Sequence, residues 1–283
     1  MLPIEVFSLE EADICTKNHI KNVAKHYKEY EYDLYLLRQD HINLLKKKGF
    51  ISFFKHKDAV INYYSGSISL SEFMTSIEVT SDEITKEISS IKPYRKRLIS
   101  EYNISRNGNI KKQNKHNFKQ DMALKYDNDF DFRLIPRKFK QAPNELDTED
   151  LKKILLFISN KIFDEEKSAE SLNITTHYTI IECTGEKNIM ERSNSPEGIH
   201  QDGMDYIVSA LVMERVNIIG GESKIYIKNK DREIFKAQLQ SGYGILQKDK
   251  GTDIWHEVTP IEVLEGNQYG YRSTMGFDIE VIN

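Results

Sequence analysis

The sequence predicts an α+β chain, mainly β, in which helices pack outside a β sandwich or barrel that begins near residue 172. Three observations carry that class. The most regular helical period in the chain, Leu151, Ile154, Leu155, Ile158 and Ile162, ends shortly before residue 172. Beyond it the sequence turns to short runs rich in β-branched and aromatic residues, among them NITTHYTIIEC, MDYIVSALVMERV, SKIYIKN, DIWHEVTP and YRSTMGFDIEVI. Turn residues separate those runs, as in IIGGES, NKD, QSG and KDKG. No low-complexity linker or internal repeat divides the 283 residues, so they read as a single elaborated domain. Residues 1–170 form its helical and mixed part, and 171–283 form its β core.

In chain order, Ser8 and Glu11 make an S-x-x-E capping box, and Ile14, Ile20, Val23, Ala24 and Tyr27 follow at helical spacing. A second helix carries Leu34, Leu37, Leu44 and Leu45 and stops at KKKG, with cations in its last turn and Gly49 at its C-terminus. FISFF, residues 50–54, then reads as a strand. Between Tyr63 and Asn144 the pattern is mixed, although Asn107-Gly108 signals a type I′ hairpin. Asp147 and Asp150 open the long helix. In the β half, Gly220 and Gly221 of GGES suit a tight turn that needs positive φ.

Composition removes several classes of function. No apolar run approaches the roughly 20 residues that cross a bilayer, and no basic and apolar leader opens the chain, so a cytoplasmic location is expected. Cys15 and Cys183 lie far apart with no Cys/His cluster nearby, which argues against a disulfide framework or structural zinc. A net charge of −4 gives no general attraction to nucleic acid. The local exception is Lys92 to Lys119, rich in Lys and Arg, which reads as a solvated loop or hairpin, a cover over an acidic substrate, or a nucleic-acid strip.

The chemistry lies in SPEGIHQDG. On a strand, residues i and i+2 share a face, so His200 and Asp202 can present a nitrogen and an oxygen to one point. His256, 256 − 202 = 54 residues after the aspartate in a later β run, supplies a second imidazole. Two imidazoles and one carboxylate leave open positions on an octahedral metal, the donor set of non-haem Fe(II) oxygenases. Such a centre needs an anchored co-substrate. Arg272, 272 − 256 = 16 residues beyond His256, can grip a carboxylate bidentately, and Thr274 shares its face, so 2-oxoglutarate fits. His256 could instead be a packed strand residue, Asp202 a turn residue and Arg272 a surface charge. HEVTP is not a zinc-protease motif, because Pro260 takes the place of the second histidine.

PEGIHQDG, GGES, HEVTPI and GYR together resemble the bacterial 2-oxoglutarate- and Fe(II)-dependent dioxygenases that include L-isoleucine dioxygenase and related hydroxylases of free L-amino acids. The resemblance covers roughly residues 170 to 280. It implies a double-stranded β-helix, the jelly-roll or cupin-like barrel, with helices outside. It also implies Fe(II) held by His200, Asp202 and His256, 2-oxoglutarate held by Arg272, and O2 as oxidant. Glu197 is a candidate for a substrate ammonium or a residue of the pocket rim. The expected activity is hydroxylation of an unactivated C–H bond of a small molecule, a free L-amino acid. Because Asp202 is present, hydroxylation is favoured over halogenation. The competing readings are an oxygenase of protein or nucleic acid, which the basic stretch would serve, and a catalytically silent barrel that binds a small acid or a partner. The long amino-terminal half departs from the compact members of the family and leaves the substrate open.

Overall fold

A computed structural model describes residues 4–114, 117–125, 130–185, 191–228 and 232–283. The amino-terminal half holds α1 (Thr16–Ala24), α2 (Leu34–Lys47), α3 (Phe53–Ser65), α4 (Leu70–Ser76) and α5 (Asp82–Ser90), and α6 (Glu149–Glu165) closes it. The strand β1 (Ile4–Ser8) precedes these helices, and β2 (Glu31–Tyr32), β3 (Arg95–Ser105), β4 (Ile110–Gln113) and β5 (Leu124–Lys125) lie between them. The remaining strands are β6 (Ser171–Thr184), β7 (His200–Gln201), β8 (Tyr206–Val216), β9 (Ile218–Gly220), β10 (Ser223–Ile227), β11 (Arg232–Ala237), β12 (Tyr243–Lys248), β13 (Ile254–Val258), β14 (Ile261–Val263) and β15 (Tyr269–Ile282). No helix among the described residues is long and apolar enough to cross a membrane.

Two antiparallel sheets face each other. The large one runs β1-β12-β8-β15-β6-β3-β2, with β4 beside β3, and the small one runs β11-β10-β13-β7-β5. Ala210, Val212 and Ile245 of the large sheet pack against Ile225 and Ile254 of the small one. The β half therefore does not stand alone, since β1 and β3 extend the large sheet and β5 extends the small one.

On its outer side the large sheet is apolar. Leu98, Leu172, Ile174, Tyr178, Met275 and Phe277 share one core with Leu151, Ile154, Leu155, Ile158 and Ile162, the expected stripe of α6. Thr148 caps that helix by accepting from Leu151 N at 3.2 Å, so Asp150 lies inside the first turn.

Three local expectations change. FISFF is not a strand, because Phe53 and Phe54 open α3, whose Val60, Tyr63 and Tyr64 enter a helical core with Leu45 of α2 and Phe73 of α4. That packing outweighs the short aromatic signal. The Ser8–Glu11 box caps a 3-10 turn over Leu9–Ala12, and α1 starts only at Thr16. The hairpin between β3 and β4 takes positive φ at Gly108 alone, whereas a type I′ turn needs it at both central residues. Its bonds, Gly108 N to Ser105 O and Ser105 N to Asn109 O, instead close a three-residue loop.

The basic stretch is in part the β3–β4 hairpin with an exposed turn, but not all of its cations are solvated. Arg95 is buried, Lys96 pairs with Glu182 at 2.8 Å and Lys112 with Asp147 at 2.7 Å. Lys115 and His116 lie outside the described residues.

Candidate active site

Alternation along β3, β6 and β15 gives the large sheet a polar inner face directly behind its apolar outer one. Arg97 pairs across to Thr179 and Thr179 to Thr274, while Ile99, His177 and Gly276 form the next row. Between this face and the small sheet lies a cavity lined by Arg97, His177, Thr179, Thr274 and Asp278 and by His200, Asp202 and His256.

The structure brings the three candidate metal ligands together. His200 on β7 is the direct cross-strand partner of His256 on β13, and their ring centroids are 4.2 Å apart. Asp202 follows β7 by one residue and reaches both rings, with Oδ1 3.6 Å from His200 Nε2 and Oδ2 3.4 Å from His256 Nε2. One ligand atom from each residue falls within 4.8 Å of the others, which leaves room for an ion between them. His200 Nδ1 lies 2.7 Å from Gly198 O, a contact that fixes the proton on Nδ1 and turns the Nε2 lone pair inward. Burial disfavours a charged Asp202, but its contacts with His200 and His256 outweigh that and hold the carboxyl well below the usual carboxylate range.

Residues absent from the sequence expectation complete the surroundings of Asp202. Gln120 donates Nε2 to Asp202 Oδ1 at 2.8 Å, and Arg133 donates Nη1 to the same oxygen at 3.2 Å and to Gln201 O at 2.9 Å. Asp131 holds Arg133 in turn, its Oδ2 2.7 Å from Nη2. Gly203, at φ +82°, lets the 120s segment cross here, since a Cβ would lie 2.2 Å from the Met122 carbonyl carbon. Asp249 accepts from Gly203 N and Met204 N at 2.6 and 3.1 Å, and burial, with the charge of Asp202, pushes its carboxyl up to about 7. Nothing local in the sequence marks Gln120 or Arg133, which reach the site only through long-range packing.

Arg272 is not a surface charge. It is 1% exposed, and its Nε, Nη1 and Nη2 are all buried without an acceptor among the described residues. Burial, then the nearby charge of Arg215, pulls its guanidinium down to about 9. Gly221 keeps the β9–β10 turn against it, as a Cβ there would come within 3.2 Å of Arg272 Cδ. A wholly unpaired buried cation is costly without an anion, so the environment fits a ligand carboxylate. Thr274, on the same face, lines the cavity, whereas Arg272 lies beyond that lining. Glu197 is half-buried at the cavity's edge, where it also borders a second pocket with Lys46 and Phe130.

Known structures share this architecture. The IDO protein of Bacillus thuringiensis superposes with a TM-score of 0.51 at 16% identity, covering 74% of this chain and 91% of its own. A BsmA homologue from Methylobium petroleophilum PM1 gives 0.55 at 19% identity, covering 78% and 85%. At these identities the likeness is one of fold. Among curated proteins, none matches the chain. The model of the 2OG-Fe dioxygenases matches residues 78–278, well over half of the sequence, and that span takes in both histidines, Asp202 and Arg272. The chain therefore belongs to the 2OG-Fe dioxygenase family and is a 2-oxoglutarate-dependent dioxygenase, working with Fe(II), 2-oxoglutarate and O2.

Proposed function

We propose that this dioxygenase hydroxylates an unactivated C–H bond of a small cytoplasmic substrate, a free L-amino acid, as the L-isoleucine dioxygenase branch of the family does. The observation that carries the reading is the convergence of His200, Asp202 and His256 within 4.8 Å on a cavity whose remaining lining is strongly polar. Two facing antiparallel sheets support a jelly-roll, and strands from both halves of the chain in each sheet support one elaborated domain.

The donor set fits Fe(II), and the unpaired guanidinium of Arg272 fits the distal carboxylate of 2-oxoglutarate. When bound, iron with 2-oxoglutarate and O2 supplies the oxidising power, releasing succinate and carbon dioxide as one oxygen enters the substrate. The chain's own residues bind and orient. His200 and His256 offer imidazole nitrogens, and Gly198 O fixes the ring of the first. Asp202 offers a carboxylate already ionised, and Gln120 and Arg133 hold its Oδ1 side. Thr274 donates a hydrogen bond beside Arg272, and Glu197 at the rim accepts the substrate ammonium. An aspartate rather than a small residue at 202 occupies the position that a halide would need, so the outcome is hydroxylation.

The test incubates the protein with Fe(II), 2-oxoglutarate, ascorbate and each of the twenty amino acids. Mass spectrometry should find one that gains a single oxygen, with succinate formed in equal amount. If none gains oxygen while a protein or nucleic-acid substrate does, the amino-acid reading is wrong.

A further inference from the structure

We propose that Arg97 and Arg137 form a second anion subsite in the cavity, which binds the carboxylate of the substrate to be oxidised. The proposal rests on the reading above, in which Arg272 serves 2-oxoglutarate and the substrate is a free L-amino acid, and it names the residues that hold that substrate's carboxylate.

Four arginines line the cavity, and they divide into two pairs. Arg95 is neutralised by Asp33, whose Oδ2 lies 3.1 Å from Nε and 2.8 Å from Nη2. Arg133 is neutralised by Asp131 and Asp202. Arg97 and Arg137 have no carboxylate within ion-pair distance among the described residues. Aromatic rings hold them instead, with Arg97 4.9 Å and Arg137 5.8 Å from the centroid of Phe139, and Arg137 5.0 Å from that of Phe118. The Nε of each is buried without an acceptor. Burial, then the positive charge of Arg95, draws the Arg97 guanidinium down to about 10.

Stacking on rings positions guanidinium planes without giving them an ion pair, and Asp33 and the cavity-lining Asp278 act on Arg97 only from beyond ion-pair distance. Two such cations on one cavity wall suit a planar carboxylate, which accepts several parallel N–H bonds. The subsite also communicates with the metal position. Arg137 donates Nη2 to Gln120 Oε1 at 2.7 Å, and Gln120 donates Nε2 to Asp202 Oδ1 at 2.8 Å, so an anion on Arg137 is two hydrogen bonds from the iron carboxylate.

The experiment uses the full chain loaded anaerobically with Fe(II) and 2-oxoglutarate and follows the metal-to-ligand charge-transfer band. Each of the twenty L-amino acids is titrated in, together with its carboxamide, which keeps the side chain and ammonium but lacks the carboxylate. At least one acid should perturb the band, with its amide binding more than tenfold more weakly. Arg97→Gln and Arg137→Gln should each weaken that acid more than tenfold, and Arg97→Lys should restore part of the loss. The dissociation constant of 2-oxoglutarate should stay within twofold in all three variants, which also reports that they fold. The wild-type comparison of acid with amide stands even if a variant does not fold. The proposal is overturned if the amide binds as well as the acid, or if no acid perturbs a band that 2-oxoglutarate itself produces. It is also overturned if Arg97→Gln weakens 2-oxoglutarate tenfold while Arg272→Gln leaves it unchanged, which would give this pair to the co-substrate. Absence of the charge-transfer band in wild type sinks the iron reading and this proposal with it.

Discussion

β6 and β15 are 14-residue neighbours that carry opposite chemistry on their two sides. Outward, Leu172, Ile174, Tyr178, Met275 and Phe277 meet α6 in a core without charge. Inward, His177, Thr179, Arg272, Thr274 and Asp278 are equally buried and polar or charged. The outer groups find their apolar neighbours within the fold. Of the inner ones, Arg272 has none among the described residues, and its surroundings make sense only once an anion arrives. One face stabilises the chain, and the other is held in place by it for the sake of a ligand.

Substitutions on the two faces should therefore fail in different ways. The largest effect is expected at the inner site, where Asp202→Ala or His256→Ala should abolish Fe(II)-dependent succinate formation while leaving the far-ultraviolet circular dichroism unchanged. Near-normal turnover in His256→Ala, with iron still bound, would break the assignment. On the outer side, Leu155→Ala should cost about 2 to 5 kcal/mol in urea unfolding, and the folded fraction should keep its wild-type turnover. A change in the 2-oxoglutarate affinity of that variant would show that the faces are not independent.

Arg272→Met should behave in the contrary sense, with apo stability equal to or above wild type because an unmatched buried cation is gone. The stabilisation gained from 2-oxoglutarate with Mn(II), about 2.7 kcal/mol at a hundredfold excess over the dissociation constant, should vanish. A pH series sharpens the point. The folded-state value of Arg272, about 9, lies well below the ordinary arginine range, so the charged form is disfavoured by folding. Apo stability from this group should rise as pH climbs above about 9 towards the ordinary arginine range, while 2-oxoglutarate affinity falls over the same range. An affinity that stays flat across pH 9 would argue that another cation holds the co-substrate. The smallest effect is expected from Gln120→Leu, which removes one hydrogen bond to Asp202 and should weaken iron binding about tenfold, measured by competition with a chelator.

Legibility in the sequence follows the same divide. The β runs from residue 171 onward and the α6 stripe stand out because periods of 2 and 3.6 are local properties. His200, Asp202, His256 and Arg272 stand out because their spacing matches one donor chemistry. What stays hidden depends on partners distant in sequence. Arg97 looks like a member of the basic stretch 92–119 until β3 pairs with β6, and Gln120, just beyond that stretch, shows its role only when it reaches Asp202. FISFF carries a strand's residue types, and only the burial of Val60, Tyr63 and Tyr64 ten residues later makes it the start of a helix. Asp131 and Arg133, two positions apart, give no sign that their ion pair braces a candidate metal ligand.

The joining of β3 to β6, of β1 to β12 and of β5 to β7 bears on how this protein can be divided. A fragment comprising residues 171–283 would contain all three proposed iron ligands and Arg272, yet β6 and β12 would become open sheet edges and the apolar outer face would lose α6. Unpaired edges and bare apolar surface recruit other chains. Expressed alone, that half should aggregate rather than bind iron, and adding residues 1–170 as a separate polypeptide should rescue its solubility by strand complementation.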